Sequence, residues 1–203
     1  MPELEPACPN LLLVGLGNPG GRYLSTRHNI GFMALDHVAS RADLSFVYSP
    51  LVSGEIARCR LALSNVLLLK PATFMNLSGN SVLAAVQAQK VPPSCLVVVH
   101  DDLDLAFGRI KIAVNRGAGG HNGVQSIVDA LQSKAFVRLR CGIGRPGGET
   151  PIVDYVLTPF SSEEKKMLPG VLENIVTAIA AIVETGVVRA MNRINVEPSP
   201  GNC

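Results

Sequence analysis

Short apolar runs alternate along this chain with stretches of helical spacing, and several of the runs stop at a glycine, an asparagine or an acidic pair. This alternation constrains the fold more than any other feature, because strands joined through helices pack as a largely parallel sheet with helices on its faces. Strands are expected at Leu11–Leu16, Glu55–Arg60, Leu63–Lys70, Leu96–His100, Gly108–Val114 and Arg138–Ile143, with Glu55–Arg60 and Leu63–Lys70 a pair and Ser64-Asn65 between them. Helices are expected at Asn29–Arg41, Asn76–Gln89 and Asn122–Leu131, and over much of 161–193 with a break near Pro169. The reading is α/β: a single domain with a twisted, mixed central sheet flanked by helices.

At 203 residues the chain is long enough for one core, and 47% apolar against 17% charged residues excludes disorder. Residues 11–195 form the expected domain, between flexible, Pro-rich tails at 1–10 and 196–203. The five cysteines are odd in number and scattered without a C-x-x-C, so neither a disulfide framework nor a zinc ribbon is expected. Reduced thiols, and an acidic start without a basic flank and apolar core, point to the cytoplasm. The most apolar long window, 168–188, contains Pro169, Glu173 and Glu184 and reads as a core helix rather than a membrane span.

Charge is uneven. Between Arg109 and Arg145 seven basic residues accompany one acid, Asp129, for a local charge of +6 in a chain of net +2. A basic face on a near-neutral protein suits a polyanion held on one side, although solvated surface charge reads equally well.

Two glycine motifs resemble a dinucleotide fingerprint: Gly15-Leu-Gly-Asn-Pro-Gly20 and Gly142-Ile-Gly-Arg-Pro-Gly147. That fingerprint needs a helix starting inside it to hold a pyrophosphate. Pro19 and Pro146 disfavour one, and the helix after the first motif begins near Asn29. Tight turns explain the glycines but not Asn18.

Polar residues gather where strands end and helices begin: Asn18-Pro19, Arg27-His28-Asn29, Phe74-Met75-Asn76, Asp101, and Gly119-Gly120-His121-Asn122-Gly123. In an open α/β sheet those places share one edge. A histidine base, an aspartate fixing its tautomer and asparagine amides facing an oxyanion make a hydrolytic site. No serine or cysteine occupies a nucleophile elbow, which favours direct attack by water. Plain structural roles compete: Asn18, Asn76 and Asn122 as turn or cap residues, His37 as packing or surface, His100 in a local hydrogen bond, Asp102 and Asp104 as loop acids. No recognised ligand spacing supports metal at His100, Asp101 and Asp104.

The motifs resemble those of the bacterial-type peptidyl-tRNA hydrolase family. They are Gly15–Gly20, Tyr23, Thr26–Gly31, Lys70–Gly79, His100–Leu105, Gly119–Gly123 and Arg138–Pro146, in that family's order and spacing. The resemblance implies hydrolysis of the ester joining a peptide to the 3′-terminal ribose of tRNA, recycling tRNA from prematurely released peptidyl-tRNA. It also implies a monomer without metal or cofactor, acting on the CCA end and acceptor stem. By motif, His28 is the base that activates water, Asp101 orients it, and Asn18 discriminates blocked from free aminoacyl groups. Asn76 and Asn122 match substrate binders, Tyr23 and Phe74 match contacts to the tRNA end or peptide, and Lys111 and Arg140 match phosphate binders.

The family often carries a second lysine where this chain has Ala113, and more glycine before Gly119, where Asn115-Arg116-Gly117-Ala118 stands. Arg116 is the candidate replacement for that lysine. A second reading is an inactive RNA-associated factor, such as a plant chloroplast intron-splicing factor built on the same fold. The complete set Asn18, His28, Asn76, Asp101 and Asn122 favours the enzyme.

Overall fold

The computed structural model describes residues 10–61 and 64–196. Seven strands form one sheet: β1 (Asn10–Gly15), β2 (Val47–Ser49), β3 (Gly54–Leu61), β4 (Ser64–Pro71), β5 (Leu96–Asp102), β6 (Ile110–Val114) and β7 (Val137–Gly142). Their order is β2-β3-β4-β1-β5-β7-β6. The central β4, β1, β5 and β7 run parallel, while β3 on one side and β6 on the other run against them, and the edge strand β2 pairs antiparallel with β3. The sheet is therefore mixed, as expected, with the parallel strands innermost. β1 and β5 read as near-continuous Leu and Val because both their faces are covered.

Six helices pack on it: α1 (Ile30–Arg41), α2 (Ser78–Gln89), α3 (Asn122–Leu131), α4 (Ile152–Val156), α5 (Ser162–Thr185) and α6 (Val187–Ile194). Side chains alternate across the pleat, so Leu13 and Val99 enter one core with α1 and α5, and Val14 and Val98 enter the other with α2 and α3. α5 is long and apolar enough to cross a membrane, yet it lays Val171, Ile175, Ala178 and Ile182 into the first core. The tails expected to be flexible lie almost wholly outside the described residues; Asn10 opens β1, and Val196 accepts a hydrogen bond from Arg109 at 2.7 Å.

Several expectations are corrected. α5 does not break at Pro169; the break comes at Gly186, at φ 81°, between α5 and α6. Pro169 removes one hydrogen bond in an exposed turn, and the Ser161/Glu164 capping box compensates at the helix start. Ser64 and Asn65 do not form a turn between β3 and β4 but pair within the sheet, Ser64 with Leu61 and Asn65 with Arg60. β5 runs on through Asp101 and Asp102, so these acids are strand residues rather than loop residues. β2 and α4 went unpredicted, being only three and five residues long, too short to show a period. Cys59 and Cys141 carry free thiols.

Candidate active site

The carboxyl ends of β1, β4 and β5 open together on a cleft of about 500 Å³. His28, Asn18, Phe74, Asn76, Asp101, His121 and Asn122 line it, joined by Ile152, Val153 and Leu157 from the α4 region. Neither glycine motif opens a helix: after β1 the chain makes two short 3-10 turns, Gly21–Tyr23 and Arg27–Asn29, before α1.

His28 reaches Asp101 because the turn before α1 is pressed against the sheet. Gly31 permits this approach, since a Cβ there would lie 2.4 Å from the Leu16 nitrogen and 2.5 Å from the Val99 oxygen. Asn29 locks the turn to the β1 loop: its Nδ2 donates to the Asn18 carbonyl and its Oδ1 accepts from the Asn18 N–H, both at 2.9 Å. Buried Arg27 anchors the other side. It donates to the Thr158 hydroxyl at 2.7 Å, the Pro159 carbonyl at 2.8 Å and the Glu164 carboxylate at 2.6 Å, and stacks 4.4 Å from the Tyr155 ring.

His28 Nδ1 lies 2.8 and 3.0 Å from the two Asp101 oxygens. His121 Nε2 approaches the same carboxylate at 2.9 Å. An ionised carboxylate only accepts, so both nitrogens facing it carry protons. The other nitrogen of His121, Nδ1, accepts the N–H groups of Gly123 and Val124 at the start of α3. His121 is thereby fixed as the neutral Nε2–H tautomer, while His28 turns its free Nε2 to the cleft. Burial alone would raise the Asp101 pKa, but His121 and then His28 more than reverse this and hold it well below the usual carboxylate range.

The amide of Asn18 is also oriented. Its Oδ1 accepts the Met75 N–H at 2.9 Å, so its Nδ2 is the group left to donate into the cleft. Asn76 and Asn122 are exposed at the rim, and their side chains hold no hydrogen bond among the described residues. Neither is a helix cap: α3 is capped by His121, and α2 starts after Leu77. Phe74 is 53% exposed and walls the cleft. Tyr23 does not join it; Tyr23 lies outside the lining with the Arg22 guanidinium 4.6 Å over its ring. His37 pairs with Glu173 at 2.7 Å, and His100 gives its Nδ1–H to the Asp101 carbonyl at 2.7 Å, both in the structural roles expected.

His121 is the cleft residue in contact with Asp101 that sequence reasoning left without a role. Its signal was its place immediately before a helix, in a motif already noted. His28, Asp101 and His121 offer donor atoms within 4.8 Å of one another, close enough for a metal ion. The cap on His121 Nδ1 keeps the proton on its Nε2, however, so the nitrogen facing Asp101 has no lone pair for a metal. The hydrogen-bonded triad uses all three groups, and the residues fit it better than a metal set.

A second cavity, a groove of about 590 Å³, lies on the α3 face of β5, β7 and β6 and shares Asp102, Ala118 and Gly119 with the cleft. Lys111, Arg116, Arg138, Arg140 and His100 line it, and Lys111 stands opposite Arg140 in the β6–β7 register. The basic segment is partly used internally. Arg138 donates to the carbonyls of Arg116 and Gly117, Arg109 to those of Asn195 and Val196, and Arg145 pairs with Asp104. Arg140 gives its Nε–H to Asp102 at 2.6 Å, which turns its outer nitrogens away from that bond. Lys111 and Arg116 are exposed without an ion pair among the described residues.

The sequence model of the peptidyl-tRNA hydrolase family matches residues 12–201. A peptidyl-tRNA hydrolase of Mycobacterium ulcerans is 44% identical over 185 residues, 91% of this chain and 97% of the relative. One from Chloroflexus aggregans is 45% identical over 185 residues, 91% and 98% of the two chains. Among solved structures, peptidyl-tRNA hydrolase from Acinetobacter baumannii superposes with a TM-score of 0.87 at 34% identity, covering 95% of this chain and 97% of that one. A likeness to 5′-methylthioadenosine nucleosidase of Arabidopsis thaliana, TM-score 0.54 at 8% identity, extends to the fold alone.

Proposed function

The chain belongs to the peptidyl-tRNA hydrolase family and hydrolyses the ester between peptide and tRNA, and from that premise we propose that His28 is the base that drives the reaction. The observation that carries this is the Asp101 carboxylate held by two imidazoles, with the free nitrogen of His28 on the cleft. His28 Nε2 takes a proton from water as the water oxygen attacks the ester carbonyl carbon. Asp101 stabilises the imidazolium that forms. Asn18 Nδ2 donates to the oxygen on which negative charge grows, and His121 holds Asp101 in line. When the tetrahedral intermediate collapses, the C–O bond to the tRNA ribose breaks. The ribose oxygen takes the proton back from His28, leaving a free peptide carboxylate and a free 3′ end.

Asn76 and Asn122, with unpaired amides at the rim, hold the ester and peptide backbone, and Phe74 packs against the tRNA end or peptide. The groove takes the phosphates of the CCA end and acceptor stem, with Lys111 and the outer nitrogens of Arg140 as cations and Arg116 supplying the charge absent at Ala113. Pairing with Asp102 and gripping phosphate are compatible in Arg140, because the acid uses only Nε. The enzyme acts as a monomer, and its compartment is the cytoplasm, where the substrate arises. The five residues that distinguish an enzyme from an inactive RNA-associated factor share one cleft or its rim, which favours the enzyme. The test is peptide release from purified peptidyl-tRNA with EDTA present. Undiminished release supports the triad; release that needs added metal overturns it.

A further inference from the structure

We propose that Arg27 is a positioning residue for the acyl half of the substrate, holding α4, the apolar wall of the cleft, at a fixed separation from His28. The inference rests on the reading that the cleft hydrolyses the peptidyl ester with His28 as base. Arg27 is buried and stands one residue before His28 in the turn Arg27–Asn29. Its guanidinium spans from that turn to the chain that leaves α4 and opens α5. Nη1 donates to the Thr158 hydroxyl at 2.7 Å and to the Pro159 carbonyl at 2.8 Å, and Nη2 donates to the Glu164 carboxylate at 2.6 Å. Its charged carbon lies 4.4 Å from the ring centre of Tyr155, within α4. The main chain repeats the join: the Arg27 N–H donates to the Thr158 carbonyl at 3.1 Å, and Thr26 bridges to Pro159.

The two sides of this join are held unequally. His28 has its own bonds to Asp101, and its turn is locked to Asn18 through Asn29. α4 is five residues long, too short to be stable without packing, and it lies against the turn Arg27–Asn29. The Tyr155 hydroxyl ties it to the Ile143 carbonyl, just past β7, at 2.7 Å, and Arg27 ties it to the turn of His28. α4 and the residue after it present Ile152, Val153 and Leu157 to the cleft, and Ile152 and Val153 are exposed there. The tRNA half of the substrate is a polyanion drawn to cations, which these side chains do not offer. An apolar wall gains by covering acyl side chains instead. A side chain packed on it sets the ester carbonyl relative to His28 Nε2 only while wall and base keep one separation. A lysine at position 27 keeps the charge facing Glu164 but lacks the fork that holds Thr158, Pro159 and Glu164 together.

The experiment measures kcat/KM of the full chain on N-acetyl-glycyl-tRNA and N-acetyl-leucyl-tRNA built on the same tRNA body. Wild type is expected to favour the leucyl substrate about tenfold, the effect of partly burying one leucine side chain. Arg27→Lys should cut that preference to about twofold by losing rate on the leucyl substrate alone. Val153→Ala trims the wall itself and should cut the preference in the same way. The double variant should lose little more than either single one, because both changes act through one wall. A merely structural Arg27 would instead lower the melting temperature and slow both substrates alike. Equal losses on the two substrates, or a folded Arg27→Lys with the wild-type preference, overturn the inference. A wild type without a leucyl preference overturns it as well. Thr158→Val covers the case in which Arg27→Lys does not fold: it removes one acceptor of Nη1, leaves the Glu164 pair, and should reduce the preference about threefold. An unchanged preference there overturns the inference. His28→Ala checks the underlying reading separately, since turnover near wild type would remove the base whatever the acyl preference does.

Discussion

The cleft and the groove share a wall yet are built on opposite plans. In the cleft each of the four groups proposed to act is oriented by another: His28 by Asp101, Asp101 by two imidazoles, His121 by the α3 amides, and Asn18 by Met75 and Asn29. In the groove Lys111 and Arg116 are exposed cations without an ion pair among the described residues, and Arg140 is anchored at one nitrogen only. A group whose bonds are already made is held at one geometry and can favour a transition state. A loosely held cation grips phosphate equally before and during the reaction, which lowers KM without raising kcat. Cleft substitutions should therefore appear in kcat and groove substitutions in KM.

The largest expected effect breaks the cleft at its centre. Asp101→Asn should lower kcat by about 10²–10⁴-fold with KM for peptidyl-tRNA little changed, because the amide carries no charge to stabilise the imidazolium of His28. His121→Asn sharpens the contrast. An asparagine still caps α3 but is too short to reach Asp101, so kcat should fall by about 10–10²-fold while the melting temperature holds. A fall in melting temperature with unchanged kcat would make His121 a cap and nothing more. Lys111→Ala addresses the groove. KM for peptidyl-tRNA should rise about tenfold at constant kcat, and the log–log salt slope of tRNA affinity should flatten by about 0.7–0.9. Equal losses on peptidyl-tRNA and on a short peptidyl-nucleoside ester would remove Lys111 from phosphate binding.

The smallest effect is on stability. His100 has a folded pKa depressed from 6.5 to about 3, so between those values the unfolded chain binds the extra proton. Stability is complete above pH 6.5 and is lost as pH falls toward 3. His100→Asn removes this titration. Between pH 7 and 6 the wild type should lose roughly 0.7 kcal/mol more than the variant, a difference of about 2 °C in melting temperature.

The same contrast sets what could be read from the sequence. The mixed sheet was legible because its central strands are long apolar runs, and the cleft because its residues sit in motifs of fixed spacing. Asp101 and His28 are 73 positions apart, yet each carries its own local signature. The groove was legible as a charge count and, through the family resemblance, in Lys111, Arg140 and Arg116. A count does not say that Arg138 is spent on two loop carbonyls or that Asp102, outside the basic segment, pairs with Arg140. The role of His121 depends on where α3 begins relative to β5, a tertiary fact. α5 continues through Pro169 because its capping box and apolar face outweigh one lost hydrogen bond. Tyr23 shares the motif's spacing but not its cleft.

The most direct measurement is the steady-state kinetics of His28→Ala on purified peptidyl-tRNA, in EDTA, beside the wild type. The expected result is a kcat lowered by about 10²–10⁴-fold, with KM and the salt slope of tRNA affinity close to wild type. A turnover near that of the wild type would show that His28 is not the base and that the proton leaves water by another route.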